Sequence, residues 1–286
     1  MISYHLFSGS QGQWQAFLHS ACRFSLAFLE RNPSSPASAL ISCTDSMRFI
    51  VKTSMWYDIL ASVTLIRRPM FKVLRTLCDP SSTALVDGRQ ELSMIGVMGC
   101  DTLNVIALAE IADLARWKED LKYTGSLSVP ELVRRGQRIE TILKTTNVDD
   151  YLHPAETEKC RLRRLTSAIF RTSALVYLHS VLSGDYPLCP EIMNFVTETV
   201  ACLRRAEDVS TSRHVVRSMV FNICVCGCLT DDPQFRGYFL QLLQEQQMQT
   251  AGNCVLVSDL MRRVWTNREG GMPVDWRVVM RDMLLV

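Results

Sequence analysis

Apolar residues recur at intervals of three and four along almost the whole chain, and nowhere do they alternate with polar ones between hairpin turns. That pattern confines the backbone to helices, because a side chain returns to the same face of a helix every three or four residues but to the same face of a strand every two. Trp14, Phe17, Leu18, Ala21, Ser25, Phe28 and Leu29 form one such face, with Ser25 its single polar member. Asn32-Pro-Ser-Ser-Pro36 ends it, since proline lacks the amide proton and restricts the residue before it. Further helices are expected over about Ala39–Ile66, Asp101–Leu121, Glu131–Lys144 and Glu191–Arg205, with another running from Pro154 to about Ser183. The C-terminal third reads as Arg213–Leu229, Pro233–Met248, Asn253–Arg268 and Asp275–Leu285. The expected fold is all-α, an irregular array of packed antiparallel helices in a single domain over residues 1–286.

Composition excludes several classes of function. With 48% hydrophobic and 21% charged residues the chain can bury a core and is not a disordered tail. A net charge of +2 provides no strong field for nucleic acid or an anionic membrane. The opening stretch MISYHLFSGSQGQW lacks the basic start and apolar run of a secretory signal. No stretch approaches the roughly 20 apolar residues of a membrane span. Eleven cysteines is a high and odd number, so the expected compartment is reducing and the thiols free.

Three of those cysteines, Cys224, Cys226 and Cys228, stand at alternate positions in VFNICVCGCLTDDPQFR. On a helix Cys224 and Cys228 share a face, while Cys226 points roughly 200° away from Cys224. Three ligands cannot converge from that arrangement, and the chain has neither a CxxC pair nor a histidine after His214 to complete a zinc set. Val220, Phe221, Ile223, Val225 and Leu229 make the segment apolar on every side, which describes a core helix. Gly227 is expected to let a neighbouring helix approach closely. Asp232 is expected as the N-cap of the next helix, with Pro233 at its first position.

A buried helix ending in Gly-Cys and followed by Thr-Asp-Asp-Pro-x-x-Arg resembles the C-terminal part of the fungal-specific transcription factor domain. The matching residues are Gly227, Cys228, Thr230, Asp232, Pro233 and Arg236. Gly252-Asn253, Val264-Trp265, Val274-Asp275-Trp276-Arg277 and Val279-Met280 follow in the family's order. Upstream, Trp14…Leu18 and Trp56-Tyr57-Asp58-Ile59-Leu60-Ala61-Ser62 resemble its early helices. Asn222 stands where the family commonly has proline. The resemblance implies a regulatory domain controlling RNA polymerase II genes in the nucleus, or in the cytoplasm if it stands alone. It implies a small-molecule effector, the transcriptional machinery or other proteins as partners, and self-association as a homodimer. The six-cysteine zinc cluster of such regulators is not in this sequence, and the chain is expected to begin inside the domain without its first helices. No specific DNA binding, membrane, cofactor or metal is therefore expected of this chain. The alternatives are a stand-alone partner-binding or small-molecule-binding helical protein, or a biosynthetic enzyme recruited from the same domain.

No HExxH, GxSxG, GxxxxGK[ST] or complete GxGxxG is present, and no catalytic residue is assigned. Asp149-Asp150 and Asp231-Asp232 lack the further carboxylates of a magnesium-binding helix, and the second pair reads better as a cap. The paired arginines (Arg67-Arg68, Arg134-Arg135, Arg163-Arg164, Arg204-Arg205, Arg262-Arg263) are spread through the chain without interleaved aromatics. Trp56, Asp58, His179 and Asn222 are the candidates for ligand contact, because each sets a polar group within an apolar helix. A buried, ionised Asp58 requires a partner, and arginine is the expected one. Any pocket is expected between the segments Trp56–Asp58, Leu175–His179 and Phe221–Cys226. Gly227, Cys228, Asp232, Pro233, Trp265, Asp275 and Trp276 are expected to be structural. Trp265 and Trp276 should be buried, Asp275 should cap the last helix, and Arg277, Arg281 and Asp282 should face solvent.

Overall fold

A computed structural model describes residues 14–31, 35–72, 89–145, 157–209, 219–247, 254–272 and 274–282. The described residues form helices and connecting turns, with no strand among them. The first helix, α1 (Trp14–Glu30), turns Trp14, Leu18, Cys22, Ser25 and Leu29 inward, the spacing of a single buried stripe. Where one helix over Ala39–Ile66 is expected there are two, α2 (Pro36–Ser42) and α3 (Asp45–Thr64). Ser35 caps α2 through the Ser38 amide at 3.0 Å, so Pro36 opens a helix as well as closing the preceding loop. Thr44 caps α3 by accepting from the Met47 amide, and this short cap breaks an apolar pattern that reads as continuous.

Two short turns of helix, α4 (Arg89–Leu92) and α5 (Ile95–Met98), precede α6 (Thr102–Tyr123). Then come α7 (Val129–Thr145), α8 (Glu158–Ser183) and α9 (Pro190–Val209). The chain continues through α10 (Val220–Cys228), α11 (Pro233–Gln247), α12 (Cys254–Glu269) and α13 (Trp276–Asp282). Helices joined by short turns pack side by side as antiparallel pairs, α6 on α7 and α8 on α9, and α11 packs on α12. Thr157 caps α8 through the Cys160 amide, while Pro154 lies outside the described residues. The expected helix ends at Arg213, Met248, Asn253 and Leu285 lie outside them too.

At the centre is α8, which packs against α6, α7, α9 and α10. It is long and apolar enough to cross a membrane, yet 72% of its most apolar window is buried inside the protein. Its hydroxyls turn back on their own helix: Thr172 donates to the Ala168 carbonyl, Ser173 to Phe170 and Ser180 to Tyr177. Small polar side chains satisfied in this way let neighbouring helices approach without an orphaned group. The last helix, α13, lies against both α3 and α12, so the two ends of the described chain meet in one core.

Candidate functional site

Asp58 is fully buried on α3 and meets the arginine it requires. One carboxylate oxygen accepts from Arg67 at 2.7 Å, and the other from the backbone amides of Met70 at 2.6 Å and Phe71 at 3.3 Å. The carboxylate therefore pins the loop that follows its own helix. That loop opens with Ile66 at φ 49°, an uncomfortable left-handed conformation for a β-branched residue. The Arg67 amide reaches back to Ser62 O and the Ile66 amide to Val63 O, closing the helix as glycine-ended helices usually close.

The other three candidates are dispersed. Trp56 packs edge-to-face on Phe170 of α8, ring centres 5.5 Å apart. His179 stacks on Phe195 of α9, and its Nε2 lies 3.8 Å from Glu140, too far for a hydrogen bond. Burial lowers the His179 pKa, with Glu140 opposing the shift. Asn222 donates to Ser173 Oγ at 2.6 Å and ties α10 to α8. Trp56 and Asn222 both reach α8, at Phe170 and Ser173, and neither of the two cavities described below is lined by Trp56, Asp58, His179 or Asn222.

The motif residues build a clasp at the end of α10. A Cβ on Gly227 would stand 2.1 Å from Met261 Sδ, so α12 sits against bare backbone there. Trp265 of α12 donates from its indole to the Gly227 carbonyl at 2.8 Å, and Arg268 donates to the Cys228 carbonyl at 2.7 Å. Asp231 accepts from Arg236 at 2.6 Å and from Arg268 at 2.7 Å. Asp232 caps α11 by accepting from the Gln234 and Phe235 amides. In the sequence the two aspartates read together as a cap, and Arg268 does not stand out. The division of labour, Asp231 bridging arginines and Asp232 capping, depends on an arginine distant in sequence. The three cysteines diverge: Cys226 meets Thr199 and is pushed up to about 12 by burial, while Cys228 meets Cys224.

Arg277 is buried, contrary to the solvent-facing position expected from its place off the apolar stripe. Asp275, which caps α13 through the Arg277 amide at 2.9 Å, also accepts two side-chain bonds from Arg277, at 3.1 and 3.0 Å. Asp185 lies nearby at the end of α8, and one of its buried oxygens has no hydrogen-bond partner among the described residues. Burial pushes its carboxyl up to about 6, against the pull of Arg277. The neighbouring Tyr177, edge-to-face on Trp276, is raised to about 12, again by burial.

Two cavities are prominent among the described residues. One of about 530 Å³ lies between the Arg68–Lys72 loop, α6 and α7. Its charges largely answer one another: Glu131 accepts from Arg134 and Arg135, Arg68 lies 3.7 Å from Asp113, and Arg135 covers the Trp117 ring at 4.2 Å. The other, of about 500 Å³, lies between α8 and α9, closed at one end by the start of α6 and the end of α7. Here Lys144 pairs with Glu140 at 2.8 Å, and two buried polar atoms stand out. Arg171 Nε and Asn104 Oδ1 are buried without hydrogen-bond partners among the described residues. The Asn104 amide is oriented by its donation to the Ser167 carbonyl at 3.0 Å, which leaves Oδ1 as the open acceptor. The second cavity is thus the stronger candidate for a ligand site, since unpaired buried polar groups are costly and invite a partner.

Comparison with known proteins bears on what such a cavity serves. A family model described as the fungal-specific transcription factor domain matches residues 1–285. A trichothecene biosynthesis transcription regulator of Trichoderma arundinaceum is 31% identical over 54% of this chain and 35% of its own length. The ustiloxin B cluster transcription factor of Aspergillus flavus is 27% identical over 66% of this chain and 34% of its own. The transcription factor dibT of Pestalotiopsis microspora is 26% identical over 82% of this chain and 39% of its own. The chain thus spans between a third and two fifths of these relatives. No solved structure matches. Matched by the model across residues 1–285, the chain belongs to the fungal-specific transcription factor domain family.

Proposed function

We propose that this chain is the effector-responsive regulatory region of a fungal transcription factor that acts in the nucleus on RNA polymerase II genes of a biosynthetic cluster. The family match along the whole chain carries the reading. Relatives named as regulators of trichothecene biosynthesis and of the ustiloxin B cluster support the choice of genes. The reading gives the chain no catalytic step. Its work is a shift between helix packings, biased by whichever packing an effector binds better. Because α8 touches α6, α7, α9 and α10, a change at the cavity beside it reaches most of the bundle. Protein partners, the transcriptional machinery or a second copy of the chain, belong to the same reading. Exposed Tyr186, Leu188 and Met193 beside the α8–α9 turn are apolar surface that a partner would cover.

Sequence-selective DNA binding is not part of this role. Arg67, Arg68, Arg134 and Arg135 are already engaged by Asp58, Asp113 and Glu131. The chain fused to a heterologous DNA-binding domain should raise or lower a reporter carrying that domain's site. A folded, nuclear fusion that leaves the reporter at the level of the DNA-binding domain alone would refute the proposal.

A further inference from the structure

Cross-helix contacts bring four helix ends together. Lys118, late in α6, donates to the Val181 carbonyl, late in α8, while the Asp101 amide and Asn104 at the start of α6 donate to Ser167, so α6 and α8 run parallel. On α7, Gly136 lies against Leu182 and Glu140 beside His179, so α7 runs back along α8. So does α9, with Phe195 stacked on His179 and Thr199 donating to Thr172. The end of α6, the start of α7, the α8–α9 turn and the start of α9 therefore share one end of the bundle. Six of the twelve exposed large apolar side chains among the described residues stand there: Tyr123, Val129, Val133, Tyr186, Leu188 and Met193. Scattered singly, such residues need no partner; gathered at one end they mark an interaction surface. Tyr123 and Tyr186 are 93% and 68% exposed. Those two rings alone offer about 300 Å², and the other four side chains bring the patch toward the roughly 800 Å² that each partner gives to a standard interface.

The rim says what covers it. Lys118 is turned to the Val181 carbonyl, Glu131 holds Arg134 and Arg135, and Asp120 holds Arg116. Exposed Lys122 and Glu191 have no ion-pair partner among the described residues. Between α6 and α9 lies α7, which packs on α6 and α8 and shares His179 with α9. Lys122 at the end of α6 and Glu191 at the start of α9 thus flank the patch on opposite sides. An apolar centre with a cation on one flank and an anion on the other is complementary to itself. A two-fold axis across the patch exchanges the flanks and sets Lys122 of each copy against Glu191 of the other.

We infer that this end of the bundle binds a second copy of the chain, in an isologous dimer centred on Tyr186 and Leu188 and bounded by two Lys122–Glu191 pairs. This deepens the regulatory reading and rests on it only for the transcriptional consequence. The association is a property of the surface alone.

Sedimentation velocity of the full chain across the micromolar range reads the association directly. The wild type should be a dimer, and Leu188→Glu and Tyr186→Ser should each sediment as a monomer. Both side chains are exposed, and an unchanged thermal unfolding midpoint at low concentration shows that the fold is kept. Phe49→Ser alters an exposed apolar side chain at the start of α3, outside the patch, and should leave the dimer intact. Lys122→Glu and Glu191→Lys should each weaken the dimer about tenfold or more, by setting like charges face to face. An equimolar mixture of these two variants should dimerise again, as should the variant that carries both changes, because each restores opposite charges across the two-fold axis. A monomeric wild type overturns the proposal, even if another protein covers the patch. So does a dimer that survives both Leu188→Glu and Tyr186→Ser, or a mixture that stays monomeric. A dimer whose reporter fusion is silent would instead overturn the regulatory reading and leave the interface standing.

Discussion

At the scale of single residues, the buried charges at the end of α8 make stability depend on pH in a defined direction. The carboxyl of Asp185 is raised by burial to about 6 in the folded chain. An unfolded aspartate titrates near about 3.9. The folded state therefore holds this proton more tightly, and the contribution is fully present below the unfolded value and lost as pH rises through about 6. Between about pH 4 and pH 7 it amounts to about 3 kcal/mol at most. Asp185→Asn should remove it, so the variant's urea midpoint should gain on the wild type as pH rises, and parallel pH profiles would defeat the assignment. Asp58 poses a different case, a fully buried carboxylate whose arginine is partly exposed. Arg67→Ala strands the buried charge and should cost about 3–5 kcal/mol by chemical denaturation, whereas a loss within experimental error would show that the loop amides suffice. The demand of Asp58 for an arginine was legible from one acidic residue in an apolar helix. The burial of Arg277 was not, because periodicity sends an off-stripe charge to solvent, and its surroundings, Tyr177 and Asp185, come from a different part of the chain.

At the scale of elements, close approach and capping decide how helices meet. The cap at Asp232 and Pro233 could be read locally, since an N-cap is a short-range arrangement. The Thr44 cap also had a local signal, Thr-Asp ahead of a helix, but the unbroken apolar pattern over Ala39–Ile66 hid it. The Asp231 bridge and the two-cavity arrangement had no local signal, because each is assembled from helices far apart in the chain. The contact of α10 with α12 rests on Gly227, and Gly227→Ala forces Met261, itself fully buried, to move. We expect a loss of about 1–3 kcal/mol from this overpacking. Adding Met261→Ala should recover part of it, because the two side chains occupy the same volume. Strictly additive losses in the double variant, measured by urea denaturation, would contradict the close approach.

At the scale of the whole molecule, the all-α class and the helix pairs followed from period and turn chemistry, while the location of the cavity between α8 and α9 did not. Cavities depend on how helix faces converge, and the residues that line this one are separated by most of the chain's midsection. The last helix shows how far closure reaches. Trp276 is fully buried against Tyr177 of α8, and Met280 Sδ lies 3.7 Å from the Thr64 hydroxyl of α3. Trp276→Ala should cost about 3–5 kcal/mol, a large share of an ordinary domain's stability, and an unchanged denaturation midpoint would show α13 to be merely attached. During synthesis, α3 and α8 emerge from the ribosome long before the segment that covers them. A premature stop codon just ahead of Trp276 would spare every other described helix yet release a product with an open seam, and in the fungus such an allele should behave as a null through proteolytic clearance.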